Sequence, residues 1–226
     1  MADLGVACDI VCLCLPEDID VHSVVVDGGL LEAMRPGSVL VNHGTGLPAF
    51  AEELTRICAA RDVHVLDAAV SGARAGALTK TLTTMVGGDE AQAKRCEPVF
   101  ASFSANVVHM GGAGSGQMAK LFNNTLMMLN QRSIDEIIEV AQRVRLDLPK
   151  LLNVLGTGSA SSAALAALNS AITVDNAEHL TKLQLIDMQL FADAVAPHNA
   201  QADSVTARAI AGSHRLAALA HAVAPA

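Results

Sequence analysis

The sequence has no tryptophan, no tyrosine and only five phenylalanines in 226 residues. A chain so poor in rings leaves almost no fluorescence background against a ligand that emits. It also lacks any cluster of lysine or arginine, and its net charge is −8. A duplex-binding protein needs a basic stripe to neutralise phosphates, so nucleic acid is not expected as a partner. Long hydrophobic runs are missing as well. The longest, Ile10 to Leu15, is far shorter than the roughly 20 residues of a membrane span, so no membrane partner is expected either. The start, Met1-Ala-Asp-Leu-Gly, has neither a basic segment nor a cleavage-like signal. The expected location is the cytoplasm.

Cysteine is scarce and its number is odd: Cys8, Cys12, Cys14, Cys58 and Cys96. Without a secretory context that argues against a disulfide framework. Cys8, Cys12 and Cys14 share parity and would point to one face of a strand. No further His or Cys pair completes a ligand set, so the expectation is buried small hydrophobes and no metal.

What is present is a folded pattern, with 51% of residues apolar. Asp9–Leu15, Ser38–Asn42 and Val63–Asp67 read as strands separated by helix-length segments, Pro48 to Arg61 being the clearest helix. That alternation predicts parallel βαβ units. A Gly/Ala-rich loop is expected over 71–80, then a β-branched strand from Thr81 to Val86. A helix capped by Asp89 and a strand over 106–110 follow. From Gly116 onward only helical periodicity is found. The expected domains are therefore 1–112 and 113–226. A long helix over about 115–145 joins them, spanning on the order of 45 Å at 1.5 Å per residue.

Three polar clusters fall at element ends, where α/β proteins place their sites. The first is Asn42-His43-Gly44-Thr45-Gly46-Leu47-Pro48. The second is Asp67-Ala-Ala-Val-Ser71-Gly72-Ala73-Arg74-Ala-Gly76-Ala77, whose small residues and N–H groups could cradle a carboxylate. The third is Gly114-Ser-Gly116-Gln-Met-Ala-Lys120-Leu-Phe-Asn123-Asn124. Its spacing puts Lys120 and Asn124 on one helix face, one turn apart. A lysine in a half-apolar cleft loses basicity and can move a proton. Gly114-Ser-Gly116-Gln-Met-Ala119 also fits a dinucleotide-binding fingerprint, but no strand with an acidic residue follows, so it reads as a helix entry.

The order Leu15-Pro16, Gly44-Thr45-x-x-Pro48, Asp67-x-x-Val-Ser-Gly-x-x-x-Gly-Ala77, Thr81-Leu…Met-Val-Gly-Gly88 and Gly116-x-x-x-Lys-x-x-Asn-Asn124 resembles the β-hydroxyacid dehydrogenases. These include 3-hydroxyisobutyrate dehydrogenase and tartronate semialdehyde reductase, relatives of 6-phosphogluconate dehydrogenase. The resemblance implies a partial Rossmann-type parallel sheet lacking its first strands. An all-helical C-terminal domain, joined by the long helix, would complete the cleft and mediate homodimers or higher homo-oligomers. It implies NAD or NADP as cofactor and a small hydroxy acid as substrate. By position, Lys120 would be the general acid/base and Asn124 would hold substrate. Ser71, Gly72 and the Ala73 backbone would bind its carboxylate, and Leu15, Pro16 and Thr45 would face the cofactor.

Four departures stand out. The glycine-rich loop is absent, the chain starting about 60 residues too late for a full Rossmann half. Ala73 stands where many relatives have glycine, and Lys80 where glycine commonly precedes the Thr-Leu strand. Ile186 stands where the family usually has lysine, with Lys182 one turn earlier. These departures imply weakened cofactor binding, and they motivate an alternative: a truncated, non-catalytic binding or assembly module. An imine reductase relative is a third reading, opposed by the retention of Lys120.

Overall fold

Continuous apolar runs form strands covered on both faces, and the first half of the chain is built from them. The computed structural model describes residues 2–198 and 201–224. It begins with α1 (Ala2–Ala7), β1 (Ile10–Leu13), α2 (Asp18–His22), a π-helical turn (Ser23–Asp27) and α3 (Leu30–Ala33). Then come β2 (Val39–Asn42), α4 (Pro48–Ala59), β3 (His64–Ser71), α5 (Ala73–Thr79), β4 (Leu82–Gly88), α6 (Glu90–Phe100), β5 (Ser104–Gly111) and α7 (Ser115–Arg143). The chain divides into two compact units, Met1–Leu121 and Phe122–Ala226, and the boundary falls inside α7.

The first unit carries one five-stranded sheet in the order β1-β2-β3-β4-β5. β1, β2 and β3 run parallel, with Leu13 opposite Asn42 and Asn42 opposite Asp67. Successive residues of β2 and β3 feed opposite cores. Leu40 and Val65 pack with Val11, Leu30, Leu54 and Cys58. Val39, Val41 and Leu66 pack with Val86, Cys96 and Phe100. Pro48 opens α4, where its missing N–H costs nothing. The Asp89 carboxylate caps α6 by accepting from the Gln92 N–H at 3.0 Å.

Three sequence expectations need correction. β3 pairs antiparallel with β4, from Leu66 opposite Gly88 to Ser71 opposite Thr83. The connecting segment, 72–81, is shorter than the dozen or so residues a parallel crossover needs. Within it the expected loop is mostly helix, α5. Its Ala-rich composition favours helix, but every residue except Gly76 is exposed, so no apolar stripe signals it. Of Cys8, Cys12 and Cys14, expected buried on one strand face, Cys12 and Cys14 are exposed and Cys8 is half-buried, outside β1, against the core with Val11 and Leu13. β1 is bonded to β2 alone and forms an edge of the sheet. Cys58 and Cys96 are buried, and burial pushes both thiols up to about 11.

The two departures flanking α5 share a physical feature. Ala73 has φ +52° and Lys80, which ends the helix, has φ +58°. Left-handed backbone costs an L-residue about 1–2 kcal/mol, which glycine escapes in part. Lys80→Gly is therefore expected to stabilise the chain by about 1 kcal/mol, read as a higher urea midpoint at unchanged slope. An unchanged or lowered midpoint would show that this strain is not there.

The second unit takes in the rest of α7, then α8 (Leu148–Thr157), α9 (Ala163–Ala167), α10 (Ala177–Val195), a 3-10 turn (Ala196–His198) and α11 (Asp203–Val223). Among its described residues there is no strand beyond a single bridge between Leu168 and Ile172. Pro149 lies in the first turn of α8, and Asp147 caps it by accepting from the Lys150 N–H at 3.1 Å. Ile138, Leu165, Ile172, Leu216, Leu219 and Val223 form the core. Buried Asp135 on α7 ties down α11, accepting from Arg215 Nε at 3.0 Å while also pairing with Arg132 at 3.0 Å. Arg215 also pairs with Glu139, and Arg208 with Glu136. No described helix is long and apolar enough to cross a membrane.

Candidate active site

Parallel β1 and β2 end side by side, and the loops that leave them stay together. The His43 N–H donates to the Leu13 carbonyl at 2.8 Å, continuing the ladder one step past the strands. Leu15 and Pro16 follow β1, and Gly44 and Thr45 follow β2. A β-carbon on residue 44 would come within 2.7 Å of the Leu15 carbonyl oxygen. The structure thus brings Leu15, Pro16 and Thr45 to one place. Leu15 and Thr45 are half-buried and Pro16 is exposed.

His43, a member of the same sequence cluster, turns the other way. Its ring lies edge-on to Phe100 and Phe103, with centroids 5.9 and 5.3 Å away. Nδ1 donates to the Ala68 carbonyl at 2.7 Å. Burial lowers its pKa and outweighs that hydrogen bond, so the imidazole is a neutral core group.

Two residues to which the sequence reading gave no role of their own organise the site. Asp67 is 1% exposed. Its carboxylate accepts from the Gly114 and Gln117 N–H groups, each at 2.8 Å. Burial raises the Asp67 pKa, while these N–H groups pull it back. The carboxylate fills the start of α7, where unpaired donors and the helix dipole favour negative charge. Gln117, also 1% exposed, reaches back to the loop after β2. Its Oε1 accepts from the Gly46 N–H at 2.9 Å, and its Nε2 donates to the Gly44 carbonyl at 2.8 Å. Both partners are backbone, so only one orientation of the amide satisfies them. The signal available in the sequence was a glutamine three residues before Lys120, on the same side of the helix.

Lys120 lies in the second turn of α7 and is half-buried. The helix runs unbroken to Asn124, one turn on, which is buried. In the second unit the Asn124 Nδ2 donates to Asp187 on α10 at 2.7 Å, and Asn123 donates to the Asn124 oxygen at 3.1 Å. Asp187 directly follows Ile186 in the chain. Ile186 itself is 49% exposed, and Lys182 is exposed too.

Ser71 ends β3, with Gly72 and Ala73 leading into α5. Ser71 is half-buried and the other two are exposed. It lies four residues beyond Asp67, on the order of 13 Å further along the strand. Among the described residues no three His, Cys, Asp or Glu side chains gather in a metal-binding group.

Comparison with known proteins places this arrangement. The family model for the NAD binding domain of 6-phosphogluconate dehydrogenase matches residues 1–112. The model for the NAD-binding region of NADP-dependent 3-hydroxyisobutyrate dehydrogenase matches residues 114–221. A probable mitochondrial 3-hydroxyisobutyrate dehydrogenase of Dictyostelium discoideum is 31% identical over 160 residues, covering 70% of this chain and 50% of that protein. A probable 3-hydroxyisobutyrate dehydrogenase-like protein of Arabidopsis thaliana is 37% identical over 145 residues, covering 63% and 43%. The chain thus spans about half the length of these relatives. The solved structure of Mycobacterium tuberculosis 3-hydroxyisobutyrate dehydrogenase with L-serine superposes with a TM-score of 0.80 at 26% identity, covering 99% of this chain and 82% of that one. With two adjoining models spanning nearly its whole length, the chain belongs to the β-hydroxyacid dehydrogenase family.

Proposed function

We propose that this protein is an NAD(P)-dependent oxidoreductase of small β-hydroxy acids, similar to 3-hydroxyisobutyrate dehydrogenase. The observation that carries the reading is the single locked piece formed by the ends of β1 and β2 and the start of α7. Lys120 leaves that piece one residue past the first helical turn after Ser115. We assign residues 1–112 to a partial nucleotide-binding domain and 113–226 to a helical substrate and dimerisation domain.

The residues at the strand ends fit the nicotinamide end of a dinucleotide. Ligands of open α/β sheets bind outside the carboxyl ends of the strands. Here those ends offer the apolar Leu15 and Pro16 and the Thr45 hydroxyl. NAD or NADP supplies the hydride acceptor or donor. Lys120 takes the substrate hydroxyl proton in oxidation and returns it in reduction. Asn124, its amide oriented by Asp187 and Asn123, holds the substrate. Ser71 and the backbone of Gly72 and Ala73 hold its carboxylate. Phe122, Leu126, Ile137 and Val140 are exposed along one face of α7 and support a homodimer or higher homo-oligomer.

Titration of NADH and NADPH into the full chain, followed through nicotinamide emission, tests the reading. With neither Trp nor Tyr present, protein background is low. Saturable binding of at least one of the two is the expected result, and failure of both to bind would overturn the assignment for this chain.

A further inference from the structure

The loop that carries Thr45 is gripped by side chains from two directions. On one side stands Gln117, described above. On the other stands Asp18, at the start of α2, whose carboxylate accepts from the Leu47 N–H at 2.8 Å. Gln117 and Asp18 therefore fix three backbone polar groups flanking Thr45, the Gly44 carbonyl, the Gly46 N–H and the Leu47 N–H, while the Gly44 N–H donates to Asn42 Oδ1 at 3.0 Å from within the same segment. Gly46 is the point where the grip closes. A β-carbon there would lie 1.9 Å from Asp18 Oδ1 and 2.8 Å from Oδ2, so only glycine fits while the carboxylate stays in place. Gln117 is in turn fixed, since its own N–H is held by Asp67.

We propose that Gln117 and Asp18 are positioning residues that act through Thr45, presenting its side chain to the nicotinamide at a fixed place relative to the start of the helix that bears Lys120. The inference rests on the dehydrogenase reading above and deepens it. A loop of Gly-Thr-Gly has little stiffness of its own, because glycine leaves the backbone its widest freedom. Positioning to a fraction of an ångström therefore has to come from partners outside the loop, and the structure supplies one from each side. Burial raises the Asp18 pKa while the Leu47 N–H lowers it, as expected of a carboxyl partly withdrawn from water to meet a backbone donor.

The test compares the unaltered chain with Gln117→Met, which keeps length and apolar bulk but removes both polar ends, and with Asp18→Ala and Asp18→Asn. NADH and NADPH affinity is read by nicotinamide fluorescence, and exchange of the Gly46 and Leu47 amides by hydrogen–deuterium exchange. Gln117→Met is expected to weaken binding about ten- to a hundredfold and to speed exchange at Gly46. Asp18→Ala is expected to act in the same direction with the change at Leu47, and Asp18→Asn, which keeps an acceptor oxygen, to restore most of the loss. Because the grip works through Thr45, adding Thr45→Val to Gln117→Met is expected to lower affinity little further. Should Gln117→Met misfold, the half-exposed Asp18 pair decides the matter alone. Full affinity in Gln117→Met or Asp18→Ala, or an additive loss in the double variant, overturns the positioning role. Absence of binding by the unaltered chain overturns the dehydrogenase reading for it, and this role with it.

Discussion

Alanine at position 120 is expected to lower turnover of a β-hydroxy acid by about 10²- to 10⁴-fold, with dinucleotide affinity within a few-fold of the unaltered protein. Lysine is the one side chain in the second turn of α7 able to take and return a proton at the substrate oxygen. Loss of that transfer falls on the chemical step and appears in kcat. Alanine is also the best helix former, so α7 keeps its stability and the variant reports on chemistry rather than folding. Lys120→Arg is the sharper control. Arginine keeps the positive charge but cannot be deprotonated in a protein, so it is expected not to rescue turnover. The measurement is steady-state kinetics in both directions on a form of the protein that binds the dinucleotide. Turnover retained in Lys120→Ala, or restored by arginine, would mean that the residue contributes only charge or packing and that the acid/base lies elsewhere.

Much of the first unit was legible because buried strands advertise themselves. Val39-Leu-Val41 is apolar because both faces of β2 are covered, and β3 is buried from Val65 through Ala69 with Asp67 its one polar residue. Direction is not advertised. The period of a strand is the same whichever way it runs, so the antiparallel pairing of β4 had to come from the short connection before it. The shared parity of Cys8, Cys12 and Cys14 did not put them on one strand face: β1 spans only Ile10–Leu13, Cys8 packs against the core with Val11 and Leu13, and Cys12 and Cys14 are exposed.

The site divides in the same way. Leu15, Pro16 and Thr45 were expected to face the cofactor, and two parallel strands ending side by side bring together the loops that carry them. Asp67, Gln117 and Asp187 were not foreseen as organisers, because each acts on a partner distant in sequence: Asp67 on Gly114 and Gln117, Gln117 on Gly44 and Gly46, Asp187 on Asn124. A glutamine inside a helix looks like surface until the residues it meets are known. His43 errs in the opposite sense. It stands in a polar cluster at a strand end, the usual place for chemistry, yet it packs against two phenylalanines as a neutral core group.

Gly116→Ala is expected to be the most damaging one-atom change in the first unit. A β-carbon there would lie 2.3 Å from the Asp67 carbonyl oxygen, 2.5 Å from the Met85 carbonyl oxygen and 2.8 Å from the Gly87 nitrogen. All three are backbone atoms of β3 and β4, so no side chain can rotate out of the way and the start of α7 must lift from the sheet. Overpacking of this kind costs about 3 kcal/mol. Lifting α7 also strains the Gly114 and Gln117 N–H bonds to Asp67, leaving a buried carboxylate short of donors. Against a total stability of about 5–15 kcal/mol that is a large fraction, and the urea midpoint should fall accordingly. Gly156→Ala is the matched control. Gly156 lies inside α8 with open space around its would-be β-carbon, so the same methyl is expected to raise stability by up to about 1 kcal/mol through helix propensity alone. Equal midpoints in the two variants would mean that α7 does not rest on the sheet as closely as the geometry requires. A fall confined to Gly116→Ala, with faster amide exchange at Gly114 and Gln117, would locate the damage at the anchor that carries both Lys120 and the grip on Thr45.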